Sequence, residues 1–219
     1  MSQEGFTTVF SSGEGYYEEK KSRFLGFLYH VKSEEDVADI LKSMKKKYWD
    51  ARHICYAYIL GSDGSKQKFS DDGEPSGTAG KPILDVLSGR GLSDTMAVVV
   101  RYFGGVLLGT GGLVRAYHEA CADALNNTTL IEMFTGRIFT VTLDYTTYGK
   151  LTYYLNTENI TLMSTDYSDA VTVRFPVASA DISRVHKDIT DMTGGTCPIE
   201  QSDEISYGVT DEGVITHEN

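Results

Sequence analysis

Two stretches concentrate the residues able to do chemistry. Residues 101–112, "RYFGGVLLGTGG", place Gly104, Gly105, Gly109, Gly111 and Gly112 between an apolar run and a helical pattern, with Arg101 before them and Arg115 after. Glycine loses more conformational freedom on ordering than any other residue, so this density marks a backbone that something approaches closely. Strand, glycines and helix start in that order aim N–H groups near Thr110, Gly111 and Gly112 outward, an arrangement that receives an anion. Residues 70–82, "SDDGEPSGTAGKP", form the second stretch. Asp71, Asp72 and Glu74 could hold a hard cation such as magnesium or supply a base, and carboxylates in a Gly/Pro loop also serve as turn and cap residues. Thr78, Gly80 and Lys81 resemble an anion-binding turn.

Spacing removes several specific chemistries. Gly104 and Gly109 are separated as in a phosphate-binding P-loop, yet Thr110 stands where the phosphate-gripping lysine belongs. Gly109 and Gly111 begin a dinucleotide fingerprint, and Val114 occupies its third glycine position. The alternating-acid calcium pattern is absent. Arg52 and His53 are candidate ligand- or nucleic-acid-binding residues, whereas two positions apart on a strand His53 and Cys55 share a face without defining a nucleophilic pair, so Cys55 reads as a core residue. His30, His118, His186 and His217 lack metal-ligand spacing. No cofactor or metal is expected. Arg115 falls in a first helical turn, where a cation opposes the helix dipole unless an anion or an acid stands nearby. Two readings stay open: an anion site shared with Arg101, or pairing with Glu119 or an acid of the "DDGE" loop.

These residues need elements to position them. "SEEDVADILKSMKKKY" starts with Ser33 as an N-cap, has Asp36 at the capping-box position and spaces Val37, Ile40, Leu41 and Met44 on one helical face. "HICYAYIL" reads as a strand that runs into a long polar loop, "GSDGSKQKFSDDGEPSGTAG". "KPILDVLSGRG" is a short helix with Pro82 in its first turn, and "DTMAVVVRYF" is a strand buried on both faces. After the glycines, Leu113, Ala116, Tyr117, Ala120, Cys121, Ala124 and Leu125 recur at helical spacing and give that helix a small apolar face. "NNTTLIEMFTGR" then reads as a break. Beyond it the order is β-α-β-β-α-β, the split βαβ arrangement of ferredoxin-like domains, with residues after Gly208 expected to fray.

At 219 residues with a net charge of −11, the chain has an uneven charge distribution. Residues 1–137 hold 16 Lys and Arg against 18 Asp and Glu, whereas residues 138–219 hold 4 against 13. An anionic partner is therefore expected on the first part. Three widely spaced cysteines without a C-x-x-C pair, no basic-flanked apolar leader and no long apolar run lead to the expectation of a soluble, cytoplasmic protein.

"SDDGEPSGTAGKPIL" together with "VVVRYFGGVLLGTGGLVRAY", with "DARHICYAY" upstream, resembles the signature of the IMPACT family, whose bacterial members pair two domains. The resemblance implies an α+β chain. Residues 1–136 would form a domain similar to the second domain of a small-subunit ribosomal protein. Residues 137–219 would form a ferredoxin-like domain similar to the C-terminal domain of elongation factor G. It also implies a role in translation, since eukaryotic relatives regulate translation under amino-acid starvation by binding a ribosome-associated activator of a kinase. Many members carry a lysine where this chain has Leu107, so one cation of the supposed anion site is absent here. The leading expectation is a regulatory protein, not an enzyme, that binds RNA, the ribosome or a ribosome-associated protein through the glycine-rich motifs. The alternatives are an enzyme or receptor for a nucleotide or other phosphate-bearing ligand, and an adaptor using the acidic second domain.

Overall fold

The computed structural model describes residues 5–218, so residues 1–4 of the expected first domain and Asn219 lie outside the described residues. The chain runs β1 (Gly5–Ser11), β2 (Glu14–Glu19), β3 (Ser22–His30), α1 (Glu34–Lys47), β4 (His53–Leu60), β5 (Lys66–Ser70), α2 (Gly80–Gly89), β6 (Thr95–Tyr102) and α3 (Gly109–Asn126). It continues through β7 (Thr129–Leu143), α4 (Tyr145–Thr157), β8 (Ser164–Tyr167), β9 (Val171–Ala178), α5 (Ile182–Thr193), β10 (Ile199–Gln201), β11 (Ile205–Thr210) and β12 (Gly213–Glu218). The described residues divide into two compact units, Phe6–Ile131 and a second that starts at Glu132 and takes in Gly5.

In the first unit an antiparallel sheet has the order β2-β3-β6-β4-β5. Its central strand β6 alternates Ala97 and Val99 toward α2 and α3 with Met96, Val98 and Val100 toward α1. Two covered faces explain why that strand is apolar throughout. The capping box of α1 forms as its sequence predicts: Ser33 accepts from the Asp36 N–H, and Asp36 accepts from the Ser33 N–H at 2.9 Å. α3 lies against β3 at backbone distance, since a Cβ on Gly26 would fall 2.2 Å from the Ala120 carbonyl oxygen. Gly26 and the alanines of α3 are thus one device for close helix–sheet approach.

Three sequence expectations need correction here. The polar loop after β4 contains β5, an edge strand whose Lys66, Gln67 and Lys68 are all exposed and so carry no alternation of polarity. Charged side chains on an edge guard its unpaired backbone groups. β7 begins at Thr129, well before Arg137, because Asn127 already closes α3 and the strand pairs on from there. The chain does not fray after Gly208: β12 pairs with β11 from Ile205 opposite Glu218 to Thr210 opposite Gly213.

In the second unit β7 pairs with β9 on one side and with β11 and then β10 on the other, while β8 extends the sheet beyond β9. α4 and α5 pack Leu151, Leu155, Val185 and Ile189 onto one face, against Phe139, Val141, Val173 and Phe175. Asp144 caps α4 by accepting from the N–H groups of Thr146 and Thr147, and the Thr147 N–H and hydroxyl, followed by the Thr146 N–H, hold its carboxyl below the usual carboxylate range. Of the α4 tyrosines, Tyr148 and Tyr154 pack against this core, whereas Tyr145 and Tyr153 are exposed.

Candidate functional site

Sheet register builds the centre of the site. Arg101 on β6 lies opposite His53 on β4 and opposite Phe24 on β3. Its guanidinium sits 5.4 Å from the Phe24 ring centre and 5.6 Å from that of Phe103. Arg101 Nη1 donates to Glu74 Oε1 at 2.5 Å, and the Tyr117 hydroxyl of α3 donates to the same oxygen at 2.8 Å. The Arg101 and Glu74 side chains are 6% and 4% exposed. The expectation that Arg101 is a cation waiting for an anion is therefore corrected: its charge is matched inside the fold. Two charges removed from water together are stable only when paired and hydrogen bonded.

Burial pushes the Tyr117 hydroxyl far up, with Cys55 and Glu74 adding to it, so Tyr117 remains a donor. Burial likewise raises the Cys55 thiol, which donates to the Asp71 carbonyl at 3.1 Å, in keeping with its reading as a core cysteine. His53 Nδ1 lies 2.7 Å from the Asp72 carbonyl oxygen, which can only accept, so Nδ1 carries the proton. His53 Nε2 then faces Glu74 Oε1 at 3.8 Å.

The "DDGE" loop uses its acids on its own backbone. Asp71 Oδ1 accepts from the N–H groups of Ala79 and Gly80 at 3.0 and 2.8 Å, and Oδ2 accepts from Gly77 at 2.8 Å. This corrects the reading of Thr78, Gly80 and Lys81 as an anion-binding turn, because the anion at the start of α2 is Asp71 itself. The Thr78 hydroxyl donates to the Pro75 carbonyl, and Lys81 pairs with Asp85 one turn along α2. Asp72 Oδ2 accepts from the Ile54 N–H at 2.7 Å. Among the described residues, no group of three or more His, Cys, Asp or Glu side chains is placed to hold a metal ion. His217 has its side chain outside them.

The glycine loop is anchored at one end and open at the other. A Cβ on Gly104 would fall 2.1 Å from the Lys21 carbonyl carbon, and the Gly104 N–H donates to Ser22 Oγ at 3.0 Å. Gly105 and Gly109 have φ of +84° and +74°, and both are exposed. α3 then begins without a side-chain cap, leaving Thr110 and Gly111 exposed and Gly112 half-buried. Arg115 is exposed and donates to the Tyr17 hydroxyl at 3.1 Å. That bond comes first in raising its pKa, with Glu19 and Glu119 adding weaker attraction. Among the described residues Arg115 makes no ion pair, so its partner is neither the expected acid nor an acid of the "DDGE" loop.

Beside the Arg101 network lies an open groove of about 870 Å³, whose wall includes the sequence candidates Arg52, His53 and Asp72 together with Lys21 and Arg23, which the sequence reading missed. Lys21, Arg23, Arg52 and His53 line it together with the rings of Tyr102 and Phe103. Arg23 stacks over Tyr102 at 4.9 Å, and Arg52 is exposed. The two acids of the wall are engaged: Asp50 accepts from the Tyr102 hydroxyl at 3.0 Å, and Asp72 accepts from the Ile54 backbone. The signal available in sequence was the short basic run "EKKSRF" near the N-terminus, which only β3 and β6 bring beside Arg52.

Residues 20–125 match the Impact N-terminal domain, and residues 141–196 match a domain of unknown function, DUF1949. The chain is 39% identical over 202 residues to the IMPACT family member YvyE of Bacillus subtilis, covering 92% of this chain and 93% of that protein. It is 36% identical over 179 residues to the IMPACT family member YigZ of Escherichia coli, covering 81% and 88%. A solved structure, described as the crystal structure of a hypothetical protein, aligns with a TM-score of 0.61 at 33% identity over 91% of this chain and 97% of that one. With motifs, matched domains and near full-length similarity in agreement, this chain belongs to the IMPACT family.

Proposed function

We propose that this protein is a translation-linked regulator that acts by contacting the ribosome or a ribosome-associated partner through its first unit. The observation that carries the reading is the groove in which Lys21, Arg23 and Arg52 outnumber Asp50 and Asp72 beside the rings of Tyr102 and Phe103, a net positive surface on a chain of net charge −11. It joins the family motifs physically, since His53 and Asp72 belong to its wall and Phe103 leads into the glycine loop. Family membership adds the expectation of a role in translation control. On this reading the working compartment is the cytoplasm. No helix among the described residues is long and apolar enough to cross a membrane.

The reading includes the finer fold assignments. The first domain is taken as similar to the second domain of a small-subunit ribosomal protein. The second is taken as ferredoxin-like and similar to the C-terminal domain of elongation factor G, supported by the order β10-β7-β9-β8 with both helices on one face. The alternative, a receptor or enzyme for a phosphate-bearing ligand, has in its favour the uncapped start of α3 and the exposed Arg115, which makes no ion pair among the described residues, while Arg101, the second cation of such a site, is held by Glu74.

Sedimentation with ribosomal particles at low and moderate salt tests the proposal. Salt-sensitive comigration is expected, with loss in Lys21→Glu/Arg52→Glu. Absence of comigration at every salt concentration, with the protein folded, removes it.

A further inference from the structure

We infer that the basic groove of the first unit takes single-stranded RNA, with phosphates against Lys21, Arg23 and Arg52 and bases stacked on Phe103 and Trp49; this rests on the translation reading above.

Charge and ring placement carry the inference. Phe103 is 47% exposed and is backed by the Arg101 guanidinium, so its ring is fixed while part of its surface stays open. Trp49 is 82% exposed and directly precedes Asp50 of the groove wall. A tryptophan so exposed on a folded protein has its hydrophobic area unused, and stacking on a base uses it. Base stacking tolerates any sequence and needs no hydrogen-bond reading. A duplex presents its bases to each other, leaving both rings without a role.

The turn between β2 and β3 adds a second observation. Lys20 and Lys21 occupy a two-residue hairpin loop with φ of +48° and +65°. Such loops favour asparagine and glycine, because side chains crowd the backbone at positive φ. Two lysines held there, with Lys21 in the groove, are strained residues at a recognition surface, where strain tends to collect. Their backbone is pinned by Gly104, whose missing Cβ lets the loops touch.

Trp49 is the one tryptophan of the chain, so its fluorescence reports on the surroundings of Asp50 at the groove wall. The test titrates the full-length protein with a single-stranded 10-nucleotide oligouridylate, a matched RNA duplex and a 10-residue polyglutamate. The expected result is quenching by the single strand, with log affinity falling against log salt at a slope of about −2, as three phosphate contacts on a single strand require. Arg52→Ala should reduce that slope by about 0.7, and Trp49→Ala, followed by anisotropy of labelled RNA, should weaken binding about fivefold or more. Circular dichroism checks the fold of each variant. Equal binding of the duplex overturns the single-strand assignment. Equal binding of polyglutamate overturns it in favour of an acidic protein partner. Absence of oligouridylate binding at low salt also overturns it. If ribosome comigration persists in that last case, the translation reading stands and this inference alone falls. If the oligouridylate binds and comigration is absent, the inference stands and the translation reading falls.

Discussion

Replacing Glu74 by glutamine removes one charge from a buried pair and keeps the side-chain shape. Arg101, 5% exposed, would then face an amide oxygen in place of a carboxylate, and no other acid is bonded to it among the described residues. Its Nε already lacks a hydrogen-bond partner, so the guanidinium depends on Glu74 and on the Phe24 and Phe103 rings. Removing one partner of a buried ion pair costs about 3–5 kcal/mol, because the remaining charge stays desolvated and unmatched. Three kcal/mol corresponds to a loss of about two orders of magnitude in the folding equilibrium. Tyr117→Phe leaves the pair intact and deletes one hydrogen bond to a carboxylate, for about 1.5–3 kcal/mol. The triple change Glu74→Leu/Arg101→Met/Tyr117→Phe removes the charged pair and the tyrosine hydroxyl together and should recover most of the single-variant loss, as apolar replacement of buried pairs does elsewhere. Urea denaturation followed by far-UV circular dichroism gives the free energies. Hydrogen exchange of peptides from β6 and α3 locates them. A Glu74→Gln cost below about 1 kcal/mol, or a triple variant less stable than Glu74→Gln, would refute the reasoning.

Further consequences follow from the same contacts. Asp71→Ala strips the acceptor from three backbone N–H groups at the start of α2 and should cost about 2–4 kcal/mol in urea denaturation, with Asp71→Asn milder because one oxygen remains. Gly104→Ala forces a Cβ into the Lys21–Ser22 backbone and should lower the melting temperature strongly. Gly111→Ala meets open space in the first turn of α3 and should hold or raise it. Asp36, held below its ordinary carboxylate range first by the Lys32 N–H, stabilises the fold above its unfolded pKa of 3.8, and that stability is lost as pH falls through the lower folded value. Asp36→Asn should therefore flatten the acid limb of a melting-temperature profile below pH 4, and an unchanged limb counts against the assignment. Burial raises the Cys121 thiol to about 12 and the Cys55 thiol further, so iodoacetamide at pH 8 should modify half-buried Cys197 first, as peptide mass spectrometry will read.

What could be read directly from the chain was local. The capping box of Ser33 and Asp36, the apolar run of β6 and the small face of α3 each depend on neighbours within a turn or a strand, and these elements form where the residues predict. The family signature was legible for the same reason, as contiguous motifs. β5 and the first half of β7 were not: exposed lysines conceal the first, and Gly136 with the preceding threonine imitates a turn in the second.

Tertiary structure decided which partner each functional side chain has. Arg101 meets Glu74 across 27 residues and Arg115 meets Tyr17 across 98, choices set by sheet register and by the seat of α3 on β3. The basic groove exists only because the register of β3, β6 and β4 aligns Arg23 with Tyr102 and Arg101 with His53. By itself the sequence determined the family and those elements with strong short-range periodicity or turn chemistry, such as α1, β6 and α3. Whether a charged side chain faces an internal partner or solvent depends on packing between distant segments, which no local pattern encodes.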